Sequence, residues 1–129
     1  MDAARSLLLT DLYQLTMLQG YFEQGMRETA VFEFFARDLP KVRGFYVAAG
    51  LEQLVEFLEQ ARFSPDEIRW LHDCGKFSTE FVEWLRDWRF TGDLDAMPEG
   101  TLFFPHEPIA RVTAPLPEAQ LVESRLINI

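Results

Sequence analysis

Apolar residues recur at helical spacing through Leu12, Leu15, Leu18 and Phe22, which predicts an amphipathic helix opened by Asp11 as a side-chain cap. Gly20 and Gly25 punctuate its exit. Thr29 to Phe35 is then a β-branched and aromatic run typical of a buried strand, with Arg37 just beyond its end. Leu39-Pro40-Lys41 reads as a turn, and Phe45 to Ala49 as a short second strand closed by Gly50. Leu51, Leu54, Val55 and Leu58 return to helical spacing, with Glu52, Glu56 and Glu59 on the water side.

Ser64-Pro65-Asp66-Glu67 places a capping serine, a proline at the first helical position and a glutamate three residues after the cap, which predicts a helix start. Gly75 ends that helix, and Ser78 caps the next, whose apolar face is Phe81, Val82, Leu85 and Trp88. Gly92, Pro98 and Gly100 bracket a return to extended structure. Thr101 to Phe104 and Ile109 to Thr113 read as strands around Pro105 and Pro108, as a hairpin or two edge strands. Pro117-Glu118 opens a last helix bearing Leu121, Val122 and Leu126. No glycine or proline follows it, and its apolar face is left for a later element to cover; docking on its own domain is the alternative. The whole is an α/β pattern without repeat, low-complexity segment or linker.

The composition fits that outline. The 129 residues are 48% hydrophobic and include 12 phenylalanines, enough for one domain with a real core. A formal charge of −9 argues against nucleic-acid or anionic-membrane partners, which are held mainly by clustered Lys and Arg. The acidity concentrates between residues 52 and 99, so an anionic ligand would favour the more balanced stretch 28–43. Cys74 is alone, which excludes an intrachain disulfide and fits a reducing compartment. Met1 to Arg5 lacks a basic head followed by a long apolar run, and no stretch approaches a membrane span. The expectation is a cytoplasmic protein.

Chemistry concentrates in Thr10-Asp11-Leu12-Tyr13-Gln14-Leu15-Thr16-Met17, which puts an acid, a tyrosine and two hydroxyls at a helix start. Residue types leave this open between a capped helix with a half-buried tyrosine and a ligand-facing helix end. Arg37 offers a planar donor fork suited to phosphate, or an exposed pair with Asp38 or Glu33. Thr16 is free to bond back into its own helix. Arg43-Gly44, with Lys41 nearby, could let the backbone approach a ligand or be an ordinary turn. His72, His106 and Cys74 form no metal-ligand spacing, and no glycine-rich phosphate loop exists.

The octapeptide resembles the N-terminal signature of nicotinate phosphoribosyltransferase. Phe32-Glu33-Phe34-Phe35-Ala36-Arg37-Asp38-Leu39-Pro40, Arg43-Gly44-Phe45, Ala48-Ala49-Gly50-Leu51, Phe90-Thr91-Gly92-Asp93, Pro98-Glu99-Gly100-Thr101, Glu107-Pro108-Ile109 and Leu121-Val122-Glu123 are similar to the same family, in order, from Leu8 to Ile129. The resemblance covers the first third or so of such an enzyme. It implies a transferase of NAD biosynthesis that forms nicotinate mononucleotide from nicotinate and 5-phosphoribosyl 1-pyrophosphate, coupled to ATP and Mg. The fold implied is the N-terminal α/β region of a type II phosphoribosyltransferase, residues 1–115, then a helix at 116–129 leading toward an absent irregular α/β barrel.

The resemblance further implies a homodimer with sites shared across the interface. Tyr13 would lie over the pyridine ring in the neighbouring subunit's site and Arg37 would reach phosphates there. Asp11 would contact substrate or merely position Tyr13. No catalytic residue is expected in this segment: neither histidine resembles the family's phosphorylated one, and the isolated chain is expected to be inactive. A stand-alone interaction module and a nicotinamide-type phosphoribosyltransferase fragment are the alternative readings.

Overall fold

The computed structural model describes residues 6–129; the expectation drawn from Met1 to Arg5 lies outside them. Helix α1 (Leu12–Gln24) ends at Gly25, whose φ of 65° lets the chain turn and Met26 donate to the Tyr21 carbonyl at 2.9 Å. Gly20 lies within the helix. The strand expected at Thr29 to Phe35 is β1 with those bounds. It is half-exposed, which corrects the expectation of a buried strand. Ala30, Phe32 and Phe34 turn inward while Val31 is 58% exposed, because only one face of the antiparallel sheet is covered.

A short β2 (Tyr46–Val47) leads to α2 (Leu51–Gln60), which buries Leu54, Phe57 and Leu58 and leaves Val55 on the outside. The Glu99 carboxylate serves α2 as a cap from far along the chain, accepting from Gly50 N at 2.9 Å and Leu51 N at 2.7 Å. Helix α3 (Pro65–Asp73) starts with the expected reciprocal box. Ser64 Oγ accepts from Glu67 N at 3.3 Å, and Glu67 Oε2 accepts from Ser64 N at 2.7 Å. Ser78 Oγ caps α4 (Thr79–Leu85) with a single bond, accepting from Phe81 N at 3.3 Å, and Phe81, Val82, Leu85 and Trp88 are all buried.

Strand β3 (Asp93–Ala96) follows, then β4 (Leu102–Phe103) and β5 (Pro108–Pro115). The last two are not a hairpin. Strand β4 pairs with β2 as a separate antiparallel ribbon, with Tyr46 stacked on Phe103 at 5.3 Å. Strand β5 is the centre of the main sheet, order β1-β5-β3, with both pairings antiparallel. Its prolines are tolerated because they occupy its first and last positions, where missing N–H donors interrupt no ladder. A register shift at Phe34/Phe35 marks a bulge where β1 leaves the sheet.

The final helix is two pieces, α5 (Leu116–Leu121) and α6 (Glu123–Leu126), joined at Val122. Its apolar face is covered by its own domain, contrary to the expectation of an uncovered one. Leu121 and Val122 are 2% and 1% exposed, because α5 packs on α1, β1 and β5. They join Leu18, Leu71, Phe81, Leu85 and Val112 in one continuous core. The architecture is mixed α/β: an antiparallel sheet with α5 against it, α1 packed on α5, and the α3–α4 pair meeting α1 through α4.

Candidate functional site

The N-terminus of α1 is amphipathic in an inverted sense. Leu12, Tyr13 and Met17 are exposed, at 49%, 49% and 41%, while the polar Gln14 is fully buried beside Leu15 and Leu18. Asp11 occupies the N-cap position with extended backbone, but its carboxylate accepts no helix N–H; only its carbonyl does, from Gln14 N at 3.0 Å. The side-chain cap read from the sequence is therefore absent, and among the described residues the exposed Asp11 carboxylate has no hydrogen-bond or ion-pair partner. Thr16 Oγ1 donates back to the Tyr13 carbonyl at 2.9 Å, the local bond its position suggested.

Behind Tyr13 lies a polar network. The Tyr13 hydroxyl accepts from Gln14 Nε2 at 3.1 Å, and the same amide donates to Glu123 Oε2 at 2.8 Å. Gln14 Oε1 accepts from Gln120 Nε2, and Gln120 Oε1 accepts from the Tyr21 hydroxyl at 3.2 Å. Helices α1, α5 and α6 are thus tied together through two buried amides.

Glu123 also lines a groove of about 430 Å³ between the end of β1 and α6, where Phe35, Glu33 and Arg37 form the other wall. Arg37 is exposed. The ion pairs considered for it do not form: Glu33 is held by Arg111, at 2.6 Å and 2.9 Å across the β1–β5 pair. The Asp38 carbonyl accepts from the Tyr46 hydroxyl. Among the described residues Arg37 has no ion-pair partner, so its guanidinium is available to an anion in the groove. Beside it, His106 adopts φ 68° in a turn and donates its backbone N–H to Ala36 O at 2.8 Å. That bond holds the Phe104–Glu107 turn against the segment bearing Arg37.

Tyr13 and Arg37 are not in contact, and no hydrogen bond links Asp11 to either. What connects the two regions is Glu123, hydrogen-bonded to Gln14 on one side and lining the Arg37 groove on the other. Of the remaining candidates, Arg43 donates only its backbone N–H, to Pro40 O, and Gly44 has ordinary backbone geometry. His72 is exposed near Asp73, 3.3 Å away.

Residues 8–129 match the family described as nicotinate phosphoribosyltransferase (NAPRTase) N-terminal domain. The chain belongs to that family. Nicotinate phosphoribosyltransferase pncB2 of Mycobacterium tuberculosis is 52% identical over 121 residues, 94% of this chain and 26% of the relative. The Bacillus subtilis nicotinate phosphoribosyltransferase is 47% identical over 123 residues, 95% of this chain and 25% of the relative. The crystal structure of human nicotinic acid phosphoribosyltransferase superposes with a TM-score of 0.82 at 37% identity, covering 92% of this chain and 25% of that one. A nicotinate-nucleotide pyrophosphorylase structure from Pyrococcus furiosus, at 19% identity and a TM-score of 0.66, shares the fold. The chain spans about a quarter of the length of the curated relatives it matches, aligned to their N-terminal domain. No helix among the described residues is long and apolar enough to cross a membrane.

Gln14, Gln120 and Glu123 do not stand out in the sequence as site residues. A signal for Gln14 exists: it stands four residues before Leu18 on the buried stripe, where a polar residue requires a partner. Glu123 offers none, since its bond to Gln14 spans 109 positions.

Proposed function

We propose that this chain is the N-terminal segment of an enzyme that joins nicotinate to 5-phosphoribosyl 1-pyrophosphate, forming nicotinate mononucleotide and pyrophosphate with ATP hydrolysis coupled to the reaction. Family membership across residues 8–129 carries the reading. Within it, Tyr13 is the aromatic face offered to the pyridine ring, Arg37 the cation offered to phosphate oxygens, and Asp11 an acceptor beside them. An exposed ring at a helix end and an unpaired guanidinium in a groove support those roles.

In this reading the enzyme works as a cytoplasmic homodimer whose segments serve the neighbouring subunit's site. Outward-facing Leu12, Tyr13 and Met17 suit a surface that meets another subunit. The helix at 116–129 leads on toward the catalytic barrel. Among the described residues no set of three His, Cys, Asp or Glu side chains is arranged to hold a metal ion. Handling of ATP and Mg is assigned to the remainder of the enzyme. This segment contributes binding and orientation, which supply a large part of catalysis by fixing reactants in place.

The test is Tyr13→Ala in the complete enzyme, with steady-state kinetics on nicotinate. A raised KM for nicotinate is the expected outcome. Unchanged KM and turnover would return Tyr13 to an ordinary surface tyrosine.

A further inference from the structure

Gln14 has no exposed surface, yet it sits next to the half-exposed Tyr13 and touches its hydroxyl. The direction of every bond in this network is fixed from its Glu123 end. Glu123 is a carboxylate and only accepts, so the atom of Gln14 lying 2.8 Å from it must be the NH2 group. One hydrogen of that group goes to Glu123 and the other to the Tyr13 oxygen at 3.1 Å. Gln14 Oε1 then faces Gln120 and requires its NH2 group, which leaves Gln120 Oε1 to accept from the Tyr21 hydroxyl. The Gln14 amide is thereby used on both sides and cannot flip without breaking contacts in the interior.

Tyr13 consequently accepts from the protein, and its own O–H hydrogen points away from the buried amide. We propose that Gln14 is a positioning residue for Tyr13: anchored by Gln120 and Glu123, it fixes the orientation of the phenol ring and leaves its hydroxyl a hydrogen-bond donor on the ligand side. The proposal rests on the reading of Tyr13 as the ring that meets nicotinate. The gain is preorganisation, because a solvent-facing tyrosine loses rotamer freedom on meeting a ligand and a tethered one has already lost it.

The experiment is a double-mutant cycle in the complete enzyme with Gln14→Met, Tyr13→Phe and the pair, reading KM and kcat for nicotinate and the thermal midpoint of each protein. Met fills the Gln14 space without a donor. Each single substitution is expected to raise KM by about three- to tenfold, the scale of one hydrogen bond, with kcat within about twofold. The pair is expected to be no worse than the larger single, because both remove the same tether. A Gln14→Met effect of equal size with and without the Tyr13→Phe substitution would mean a merely structural role and overturn the inference. So would a Tyr13→Phe enzyme indistinguishable from the parent.

Should Gln14→Met fail to fold, Glu123→Ala removes the outer anchor without entering the core. Its KM increase must likewise vanish when Tyr13→Phe is present, and persistence there overturns the inference. Tyr13→Ala separates the two levels. If it leaves KM and kcat unchanged, the ligand role of Tyr13 fails; if it raises KM while the cycle shows no coupling, only the role of Gln14 fails.

Discussion

Helices α1 and α3 obey opposite rules. In α3 the buried polar residue serves the helix itself: Glu67, 2% exposed, closes the reciprocal cap, Ile68 and Leu71 are buried beside it, Asp66 and Arg69 face water, and Trp70 is the one large apolar side chain left outside. In α1 the N-terminal turn hides a glutamine and shows a leucine, a tyrosine and a methionine, while its would-be cap makes no side-chain bond. A buried polar residue that closes its own helix start, as Glu67 does, is accounted for by the folding of that helix. What sets α1 apart is that its buried polar side chain serves no cap of its own: Gln14 bonds to Gln120 and Glu123 on distant helices, and Leu12, Tyr13 and Met17 are left outside where α3 leaves only Trp70.

The largest effect that would sharpen this contrast belongs to the α3–α4 side. Phe81→Ala removes a fully buried ring from the junction of Phe22, Phe77 and Trp84. It is expected to destabilise the domain by about 3–5 kcal/mol in chemical denaturation. On the α1 side, Tyr13→Ala is expected to leave the denaturation midpoint nearly unchanged and to weaken nicotinate binding by about 1–3 kcal/mol, the scale of stacking on a flat ring. A midpoint drop for Tyr13→Ala as large as that for Phe81→Ala would erase the difference between the regions.

Smaller effects divide the two helix starts. Ser64→Ala removes a bonded cap and should cost about 1 kcal/mol of stability, with activity per folded molecule unaffected. Asp11→Ala removes a carboxylate that caps nothing and should change stability by no more than about 0.5 kcal/mol. If Asp11→Ala cost as much as Ser64→Ala, the carboxylate would be capping α1 in solution and the inversion would be weaker than described.

The parts of the fold that could be read along the chain are those decided by neighbours. The Ser64 box, the Ser78 cap and the full extent of β1 depend on residues within a few positions of one another. The parts that could not are decided by pairing across the molecule. Strand β5 carries a proline at each end and looks peripheral, yet it is central because β1 and β3 both register on it. Leu116 and its followers read as an uncovered helix only because α1 and the sheet, which cover it, lie far earlier in the chain. The site divides in the same way. Tyr13, Arg37 and Asp11 stand out as residue types, whereas the amide network behind Tyr13 and the shared wall of the Arg37 groove exist only once α6 has packed.

Strand β3 escapes notice because Asp-Leu-Asp-Ala has no β-branched residue and is held in the sheet by Leu94 opposite Val112 and Ala96 opposite Ala110. Its exposed Asp93 and Asp95 have a second effect. As the edge of the sheet, β3 presents unsatisfied backbone groups that could template a strand from another molecule, and two carboxylates along that rim repel an incoming chain. The acidic pair that hides the strand from pattern reading also guards it against amyloid-like association.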